Sequence, residues 1–255
     1  MTENFPKIIH QSWKDNNLTE DFTLWSDTWK KCNPSYEYKL WTDEDNYNLI
    51  KEDFPFFLKT YEEYDHHIKR VDAVRCAYMY KYGGIYADLD FECLKPFDSL
   101  LENFCHQDII LGEVDCGLHN HKNPNAIMIS KSGVNFWIHA MQMMIDRASN
   151  GCPTYETGPN LIYDAIKIYS AKDKIESLPS WYFYPVTWVP SNDDAMQIRN
   201  KAMPIKRPGI GDKWSPTTLL TEQEKKELFP HSFAVTYWTS VWHDDSYKFS
   251  MVDKK

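Results

Sequence analysis

Two carboxylates, Asp88 and Asp90, stand on either side of Leu89 at the end of an apolar run that begins at Ile85. Residues two apart on a strand face the same side, and where a strand passes into a loop they can converge on one ion. Carboxylate oxygens are hard ligands that suit Mg²⁺ or Mn²⁺. Such a pair alone is more often a solvated turn or a helix cap, so its neighbours must decide between these interpretations.

A second charged pair, Asp72 and Arg75, precedes the acidic pair on a predicted helix, where residues three apart are neighbours on one face. The helix ends at Gly83-Gly84, which brings its last turn close to the strand that leads to Asp88. A plain ion pair on a helix is the common alternative. The proximity of the two pairs favours a single site built from charged groups.

The charge balance limits the possible partners. The chain of 255 residues has a net charge of −9, which argues against duplex nucleic acid or an anionic membrane as its main partner. A phosphate-bearing ligand would need a divalent cation, held by carboxylates, to overcome the acidic surface. Aromatic residues make up 15% of the chain, which is consistent with a groove for flat ligands such as bases or sugar rings.

The cysteine pattern and the chain start bear on the cellular compartment. The six cysteines form no CxxC pair, which argues against a zinc ribbon. The first residues lack the basic and apolar regions of a signal peptide, and no apolar run is long enough for a transmembrane helix. We expect a soluble, cytoplasmic chain with reduced thiols and no transmembrane segment.

Helices and strands alternate along the chain, as in an α/β protein. Short apolar or alternating runs predict strands at 7–13, 36–41, 85–88, 109–111 and 126–129. Three- and four-residue spacing and helix-start residues predict helices at 19–31, from 42, and at 68–82, 135–149 and 158–169, with a last one starting at 221. Residues 179–216 read as long loops or an acceptor-side lobe. The acidic pair lies at a strand end, where α/β sheets usually bind ligands.

Three motifs together resemble glycosyltransferase family 32, which includes the yeast initiating mannosyltransferase and is distantly related to the large clostridial glucosylating toxins. They are Ile9-His10-x-x-Trp13, Leu40-Trp41-x-Asp43, and Asp72-x-x-Arg75 placed sixteen residues before Asp88-x-Asp90. The resemblance implies a GT-A type α/β fold with a single Rossmann-like mixed sheet flanked by helices and a small C-terminal flap. It also implies one domain over 1–255, with a nucleotide-sugar-binding half at 1–105 and an acceptor-side half at 106–255.

The resemblance implies roles for individual side chains. The implied catalytic residues are Asp72, Arg75, Asp88 and Asp90, and the implied donor-binding residues are Trp13, Tyr86, Asn160, Ser240 and Trp242. Trp13 would stack on the nucleotide base, Tyr86 would lie near the ribose, and Asp72 and Arg75 would hold the donor sugar. As alternatives, Trp13 and Tyr86 can be core residues, and Asn160 can simply follow a Gly-Pro helix start.

The implied metal ligands are Asp90, Asp88, Ser240 and His243, with Asp90 binding directly and Asp88 shared with ribose and sugar hydroxyls. Many family members have a histidine ligand where this chain has Thr236, so the resemblance leaves the third protein ligand open. Ser240-x-Trp242 is similar to a Ser-x-Trp motif of the toxins, whose hydroxyl and indole address the metal and the diphosphate. A Trp-rich strand with no ligand is the alternative.

The activity implied by the resemblance is metal-dependent, retaining transfer of a hexose or N-acetylhexosamine from a nucleotide-diphosphate sugar. The cofactor would be Mn²⁺ or Mg²⁺, the donor a UDP-sugar in preference to a GDP-sugar, and the acceptor a hydroxyl of a glycan, lipid or protein. Two other activities remain open. A metal-dependent phosphoesterase or nucleotide-sugar hydrolase also uses aspartates at strand ends, and a non-catalytic carbohydrate-binding protein would be rich in aromatic residues.

Overall fold

The computed structural model of the protein describes residues 4–114, 122–148, 151–171, 173–186 and 221–239. The strands are β1 (Ile8–Ser12), β2 (Glu37–Trp41), β3 (Gly84–Ala87), β4 (Phe91–Cys93), β5 (Ile109–Gly112), β6 (Ile127–Ser130), β7 (Ile175–Leu178) and β8 (Ala234–Thr236). The helices are α1 (Glu20–Cys32), α2 (Asp43–Asp53), α3 (Pro55–Glu63), α4 (His67–Lys81), α5 (Asp98–Asn103), α6 (Phe136–Arg147), α7 (Pro153–Glu156), α8 (Pro159–Ile168) and α9 (Glu222–Leu228).

A mixed six-stranded sheet forms the centre of the molecule, with the strand order β2-β1-β3-β6-β5-β7. Strand β1 is parallel to β2 and to β3, and β5 is parallel to β7, whereas β6 is antiparallel to both of its neighbours. The carboxyl ends of β1, β2, β3 and β5 therefore lie at one edge of the sheet, together with the amino end of β6. This is the edge at which α/β sheets bind ligands.

Helices cover both faces of this sheet. On β3, Tyr86 packs into one apolar cluster with residues of α4 and α6, and its neighbour Ile85 packs into a second cluster with Trp29 of α1. Successive strand residues point to opposite faces, so the two clusters lie on opposite sides of the sheet. The expected α/β class with a central mixed sheet flanked by helices is confirmed.

Local signals in the sequence explain several element boundaries. Thr42 and Asp45 form a capping box that starts α2, and Thr221 and Glu224 form the same box at α9. Between α4 and β3, Gly83 and Gly84 adopt φ of 65° and 89°, a left-handed conformation that glycine tolerates best. The predicted junction between the charged helix and the strand of the acidic pair is confirmed.

The chain leaves the central sheet immediately before the acidic pair. Residues 88–90 form a turn, and the chain then enters β4, which pairs with β8 in a separate two-stranded sheet. Of the two arrangements left open by the sequence, a continuing strand and a strand-to-loop transition, the structure has the transition. Helices α3, α5 and α7 and strands β4 and β7 were not predicted. Within the described residues, no helix is long and apolar enough to cross a membrane.

Candidate functional site

A cavity of about 320 Å³ lies at the ligand-binding edge of the central sheet. We call it the edge cavity. Residues that follow three neighbouring parallel strands contribute to its wall: Asp43 after β2, Trp13 after β1 and Asp88 after β3. Asn125 comes from the chain just before β6, because β6 runs in the opposite direction. The sheet topology therefore brings together residues that are far apart in the sequence.

Arg75 links the two predicted charged pairs across this cavity. Its guanidinium lies 3.1 Å from Oδ1 of Asp72 on the same helix and 2.9 Å from Oδ1 of Asp88 at the end of β3. Arg75 and Asp72 are only 5% and 7% exposed. The pair is thus more than the surface ion pair considered from the sequence, since one buried cation holds two carboxylates from different elements.

Asp72 is further held by two uncharged side chains. Asn125 donates a hydrogen bond of 2.9 Å from Nδ2 to Asp72 Oδ1, and the hydroxyl of Thr157 donates one of 3.4 Å to Oδ2. Asn125 also accepts a 3.0 Å hydrogen bond from Arg75 at its main-chain carbonyl. Burial raises the pKa of Asp72 to about 6, although the charge of Arg75 opposes the rise.

Tyr86 contributes a buried hydroxyl to the same network. It donates a hydrogen bond of 2.6 Å to Asp88 Oδ1, and the guanidinium of Arg75 lies 4.8 Å from the centre of its ring. Asp88 itself is half-buried, and burial raises its pKa while Arg75 and Tyr86 act in the opposite direction. Within the part of the chain that the structure describes, Tyr86 and Arg75 both approach the Asp88 carboxylate at Oδ1.

Asp90 lies on the other side of Leu89 and is held by the chain that follows β8. The amide N–H and the hydroxyl of Thr239 donate hydrogen bonds of 2.9 and 3.1 Å to Oδ2, and the hydroxyl of Thr236 donates one of 3.3 Å to Oδ1. Burial and repulsion from Asp88 raise the pKa of Asp90 to about 6 despite these donors. Thr236, which replaces an expected histidine, is thus a hydrogen-bond partner of Asp90.

The charges that line the edge cavity are unbalanced. Asp43, Asp72, Asp88 and Asp90 face only Lys14 and Arg75 among the described lining residues. The pKa of each of the four carboxyls is raised, to about 7 for Asp43, and burial is the main cause in each case. Carboxylates with raised pKa values in a cavity are characteristic of functional sites.

Asp88 and Asp90 fit a hard divalent cation. Mg²⁺ is commonly bound by one or two carboxylates together with substrate phosphates and water, so two aspartates form a sufficient protein set. Across the described ranges, no group of three or more His, Cys, Asp or Glu side chains is arranged to hold a metal. The remaining ligands would come from the substrate or from water.

The other predicted donor-binding residues differ in their placement. Trp13 lines the edge cavity and packs edge-on against Phe22, with 4.8 Å between ring centroids. Asn160 does not line it, although the preceding Pro159 does, and its buried Oδ1 accepts no hydrogen bond within the described chain. The predicted residues Ser240, Trp242 and His243 lie outside the described residues.

Three site residues were missed by sequence reasoning. Asn125, Thr157 and Thr239 bond directly to Asp72 or Asp90. Thr157 immediately precedes the predicted Gly-Pro helix start, where only Asn160 was assigned a contact. Asn125 precedes a predicted strand, and its position at the edge cavity follows only once β6 is known to be antiparallel.

These features define a class: a GT-A type α/β domain with an acidic DXD site at its ligand-binding edge. Residues 19–105 match the family described as the glycosyltransferase sugar-binding region containing DXD motif. This region of the chain is therefore similar to that family, and the resemblance drawn from the sequence motifs is confirmed.

Curated relatives match a comparable length of the chain. Inositol phosphoceramide mannosyltransferase 3 of Schizosaccharomyces pombe is 48% identical over 96 residues, covering 38% of this chain and 27% of that protein. Mannosyl phosphorylinositol ceramide synthase SUR1 of Saccharomyces cerevisiae is 46% identical over 96 residues, covering 38% and 25%. The chain thus spans about a quarter of the length of the curated relatives it matches.

Solved structures extend the similarity in fold beyond this region. The PaToxG glycosyltransferase has a TM-score of 0.52 at 14% identity, covering 91% of this chain and 89% of that one. The UDP-bound glycosyltransferase domain of the YGT toxin has a TM-score of 0.50 at 7% identity, covering 69% and 80%. The expected GT-A type fold is confirmed by these similarities.

Proposed function

We propose that the protein is a metal-dependent, retaining glycosyltransferase that transfers a hexose from a nucleotide-diphosphate sugar to an acceptor hydroxyl. The observation that carries the proposal is a pair of linked ion pairs in the edge cavity. Buried Arg75 joins Asp72 to Asp88, and Asp90 lies beside them. We also propose that residues 1–255 act as one domain. The cavity draws residues from both of its halves, since Asn125 and Thr239 line it together with Asp88.

The charge of the edge cavity supports a cation between the protein and the diphosphate. Its lining has two more carboxylates than cationic side chains, so a bare nucleotide diphosphate would be repelled. Asp88 and Asp90 would hold Mn²⁺ or Mg²⁺, with Ser240 and His243 as further proposed ligands. When bound, such an ion stabilises the negative charge that develops on the departing diphosphate.

The remaining residues would orient the donor and protect the reacting carbon. Trp13 would stack on the nucleotide base, and Tyr86 would lie near the ribose, because both line the cavity. Positive charge develops at the anomeric carbon during sugar transfer. The Asp72 carboxylate, held by Arg75 and Asn125, would stabilise that charge without forming a bond. Asn160 and Trp242 are proposed as additional donor contacts, with Trp242 excluding water.

Relatives suggest which donor and acceptor to test first. The two yeast relatives are named for mannosyl transfer to inositol phosphoceramide, so mannose and a glycolipid hydroxyl are our first candidates. The YGT domain was solved with UDP, which supports a nucleoside diphosphate and keeps uridine beside guanosine as the base.

The products of donor breakdown test the class of reaction. With Mn²⁺ and no acceptor, we expect slow release of nucleoside diphosphate and free sugar from UDP- or GDP-sugars, measured by ion-exchange chromatography. A phosphoesterase would release sugar phosphate or inorganic phosphate instead. Asp90→Asn should abolish the release while the circular dichroism spectrum stays unchanged, because one ligand charge is lost at a half-buried turn. An Asp90→Asn variant with full activity would refute the proposed site.

Retention of configuration needs a separate measurement. Of the described carboxylates in the edge cavity, Asp72, Asp88 and Asp90 are each held by hydrogen bonds from other protein groups. Asp43 follows β2 rather than the acidic turn. We therefore propose attack of the acceptor hydroxyl on the face from which the diphosphate leaves. Proton NMR of the product formed from an α-linked donor should give an α-linkage. A β-linked product would exclude the retaining mechanism.

A further inference from the structure

The carboxylate of Asp90 is held by one short stretch of chain. Thr239 donates two hydrogen bonds to Oδ2, from its amide and its hydroxyl, and Thr236 donates one to Oδ1. A carboxylate has about four acceptor positions, two on each oxygen. Among the described residues, the hydrogen bonds therefore use both positions of Oδ2 and leave one on Oδ1.

A neighbouring amide fixes the direction of the Thr236 hydroxyl. The main-chain N–H of Trp238 donates a 3.2 Å hydrogen bond to Thr236 Oγ1. Because this oxygen already accepts a hydrogen bond from the amide, its own proton is available for Asp90, 3.3 Å away. The hydroxyl therefore acts as an oriented donor toward the carboxylate.

The backbone of residues 236–239 is shaped to present both threonines to one side chain. Trp238 adopts a φ of 49°, a left-handed conformation that is uncommon for a residue other than glycine. Such strain persists where the surrounding contacts impose it. Here Trp238 donates from Nε1 to the carbonyl of Val186 at 2.7 Å, and the Tyr237 amide donates to the carbonyl of Asp90 at 2.9 Å.

The buried carboxylate of Glu92 also holds this stretch, through Tyr237. Glu92, two residues after Asp90 and fully buried, lies 3.3 Å from the ammonium of Lys225 and accepts a hydrogen bond from the Tyr237 hydroxyl. Strands β4 and β8 pair Phe91 with Thr236 directly beside the site. The threonines are thus fixed to the strand that follows Asp90.

We propose that Thr236 and Thr239 are positioning residues that leave Oδ1 of Asp90 as the oxygen for the divalent cation. The inference rests on the cation of the proposed function. Neither threonine needs to touch the ion, since hydrogen bonds to a ligating carboxylate orient it, and their loss typically lowers metal affinity about 10–100-fold. This arrangement gives a role to Thr236 in a position where a histidine ligand was expected.

Manganese binding tests the proposal without reference to turnover. Free Mn²⁺ is titrated by electron paramagnetic resonance in the presence of UDP, and separately of GDP, for the wild type and variants. Thr236→Val and Thr239→Val keep the side-chain shape but remove the hydroxyl, and each should weaken Mn²⁺ binding about tenfold or more. Thr236→Ser and Thr239→Ser keep the hydroxyl and should bind within about twofold of the wild type.

A matched control and a second pair of variants separate this role from folding. Thr23→Val removes an exposed hydroxyl from α1 that bonds only its own helix, and it should leave Mn²⁺ binding unchanged. If a valine variant unfolds at a lower temperature than its serine partner, Thr236→Ala or Thr239→Ala replaces it. Mn²⁺ binding is then measured below the unfolding temperatures of both the alanine and the serine variants. Weak binding in alanine variants with retained binding in serine variants supports the proposal.

The contradictory outcomes are distinguishable. If the valine and alanine variants bind Mn²⁺ like the wild type while Asp90→Asn does not, the positioning role is wrong and the proposed function stands. If the wild type binds Mn²⁺ no better than Asp90→Asn with either nucleotide, the cation site of the proposed function is wrong, and the positioning role falls with it.

Discussion

Arg75 is the residue on which the electrostatics of the site depend. A buried guanidinium is tolerated only when carboxylates or hydrogen-bond acceptors compensate it, and here Asp72, Asp88 and the carbonyl of Asn125 do so. The planar group reaches all three at once, which a lysine ammonium could not do with the same geometry. The pKa of Asp72 stays near 6 because burial outweighs this single positive charge.

The hydroxyl of Tyr86 can be removed with little change of shape. Tyr86→Phe takes away the 2.6 Å hydrogen bond to Asp88 Oδ1 but leaves the ion pair of Asp88 with Arg75. A hydrogen bond to a charged group contributes about 1.5–3 kcal/mol. We expect the KM for the nucleotide sugar to rise about tenfold or more, measured by steady-state transfer kinetics.

Tyr38→Phe is a matched control for that variant. Tyr38 donates a 2.8 Å hydrogen bond to Gln11 on β1 and does not line the edge cavity. It should lower stability without changing the donor KM. Equal kinetic effects from the two variants would show that the Tyr86 hydroxyl acts only through the stability of the sheet.

Most of the charged site residues could be predicted from the sequence, whereas the residues that hydrogen-bond to them could not. Asp72, Arg75, Asp88 and Tyr86 were all predicted and all meet in the edge cavity. Asn125 was not predicted as a site residue, because its hydrogen bond to Asp72 joins positions 53 residues apart in the sequence. No local pattern encodes such a contact, since it depends on the direction in which β6 enters the sheet.

At the level of elements, the glycine junction between α4 and β3 positions the strand that leads to Asp88. Gly84 adopts a φ of 89°, and a Cβ atom there would overlap the main-chain carbonyl of Ile8 on the neighbouring strand. That carbonyl belongs to β1, whose pairing with β3 is part of the central sheet. The close approach of β1 and β3 therefore requires glycine at this position.

Gly84→Ala should destabilise the protein by more than its backbone conformation alone predicts. Alanine at positive φ costs about 1–2 kcal/mol, and displacement of β1 should add about 1–3 kcal/mol. Gly133→Ala is the control, because Gly133 has a φ of 73° but nothing within 4 Å of an added Cβ. Urea unfolding should give a clearly larger loss for Gly84→Ala, and equal losses would contradict the packing argument.

His10 lies buried between β2 and the same glycine junction. Its Nδ1 accepts a 3.0 Å hydrogen bond from the indole of Trp41, and its Nε2 lies 2.8 Å from the carbonyl of Gly83. This pattern requires the neutral ring with its proton on Nε2. Burial lowers the pKa of His10 from 6.5 to about 4.

The stability contributed by His10 should depend on pH. The unfolded chain takes up the proton first, so this contribution is complete above pH 6.5 and is lost as the pH falls toward 4. The loss is about 3 kcal/mol by pH 4. Buried carboxyls such as Asp72 oppose it, so the measured quantity is the difference in unfolding free energy between the wild type and His10→Gln at pH 4–8. A difference that does not change with pH would contradict the neutral-ring assignment.

The elements that sequence reasoning recovered are those with local signals. Helix α2 carries its capping box, and α4 ends at its glycines. Strand β7 was missed because Ile175 and Leu178 are separated by two polar residues, which is neither an apolar run nor an alternating pattern. Its pairing with β5 is also made across the chain rather than by a nearby turn. Helix α3 was missed because proline commonly interrupts helices, whereas Pro55 occupies the first turn of α3, where proline costs no hydrogen bond.

For the whole molecule, the negative net charge disfavours the approach of an anionic nucleotide sugar, so its binding must depend on local contacts. The chain carries −9, and the edge cavity has more carboxylates than cations. Long-range attraction thus would not draw a nucleotide to the protein at moderate ionic strength. Affinity would come from stacking, from the cation and from the ordered hydrogen bonds of the cavity. Nucleotide binding should accordingly require the divalent ion.

Thermal unfolding with a panel of ligands tests this dependence on the whole protein. A ligand at about 100 times its Kd stabilises the folded state by about 2.7 kcal/mol, which for a domain of this size raises Tm by about 5–10 °C. With Mn²⁺ present we expect UDP or GDP to produce such a shift, and the nucleotide that gives the larger shift identifies the preferred base.

The same nucleotides with EDTA, and free sugar with Mn²⁺, should leave Tm unchanged. Asp90→Asn should lose the Mn²⁺-dependent shift, because it removes the charge of one of the two carboxylates proposed to hold the ion. An equal shift with EDTA would mean that the edge cavity binds nucleotide without a cation, and a shift with sugar alone would favour a carbohydrate-binding protein.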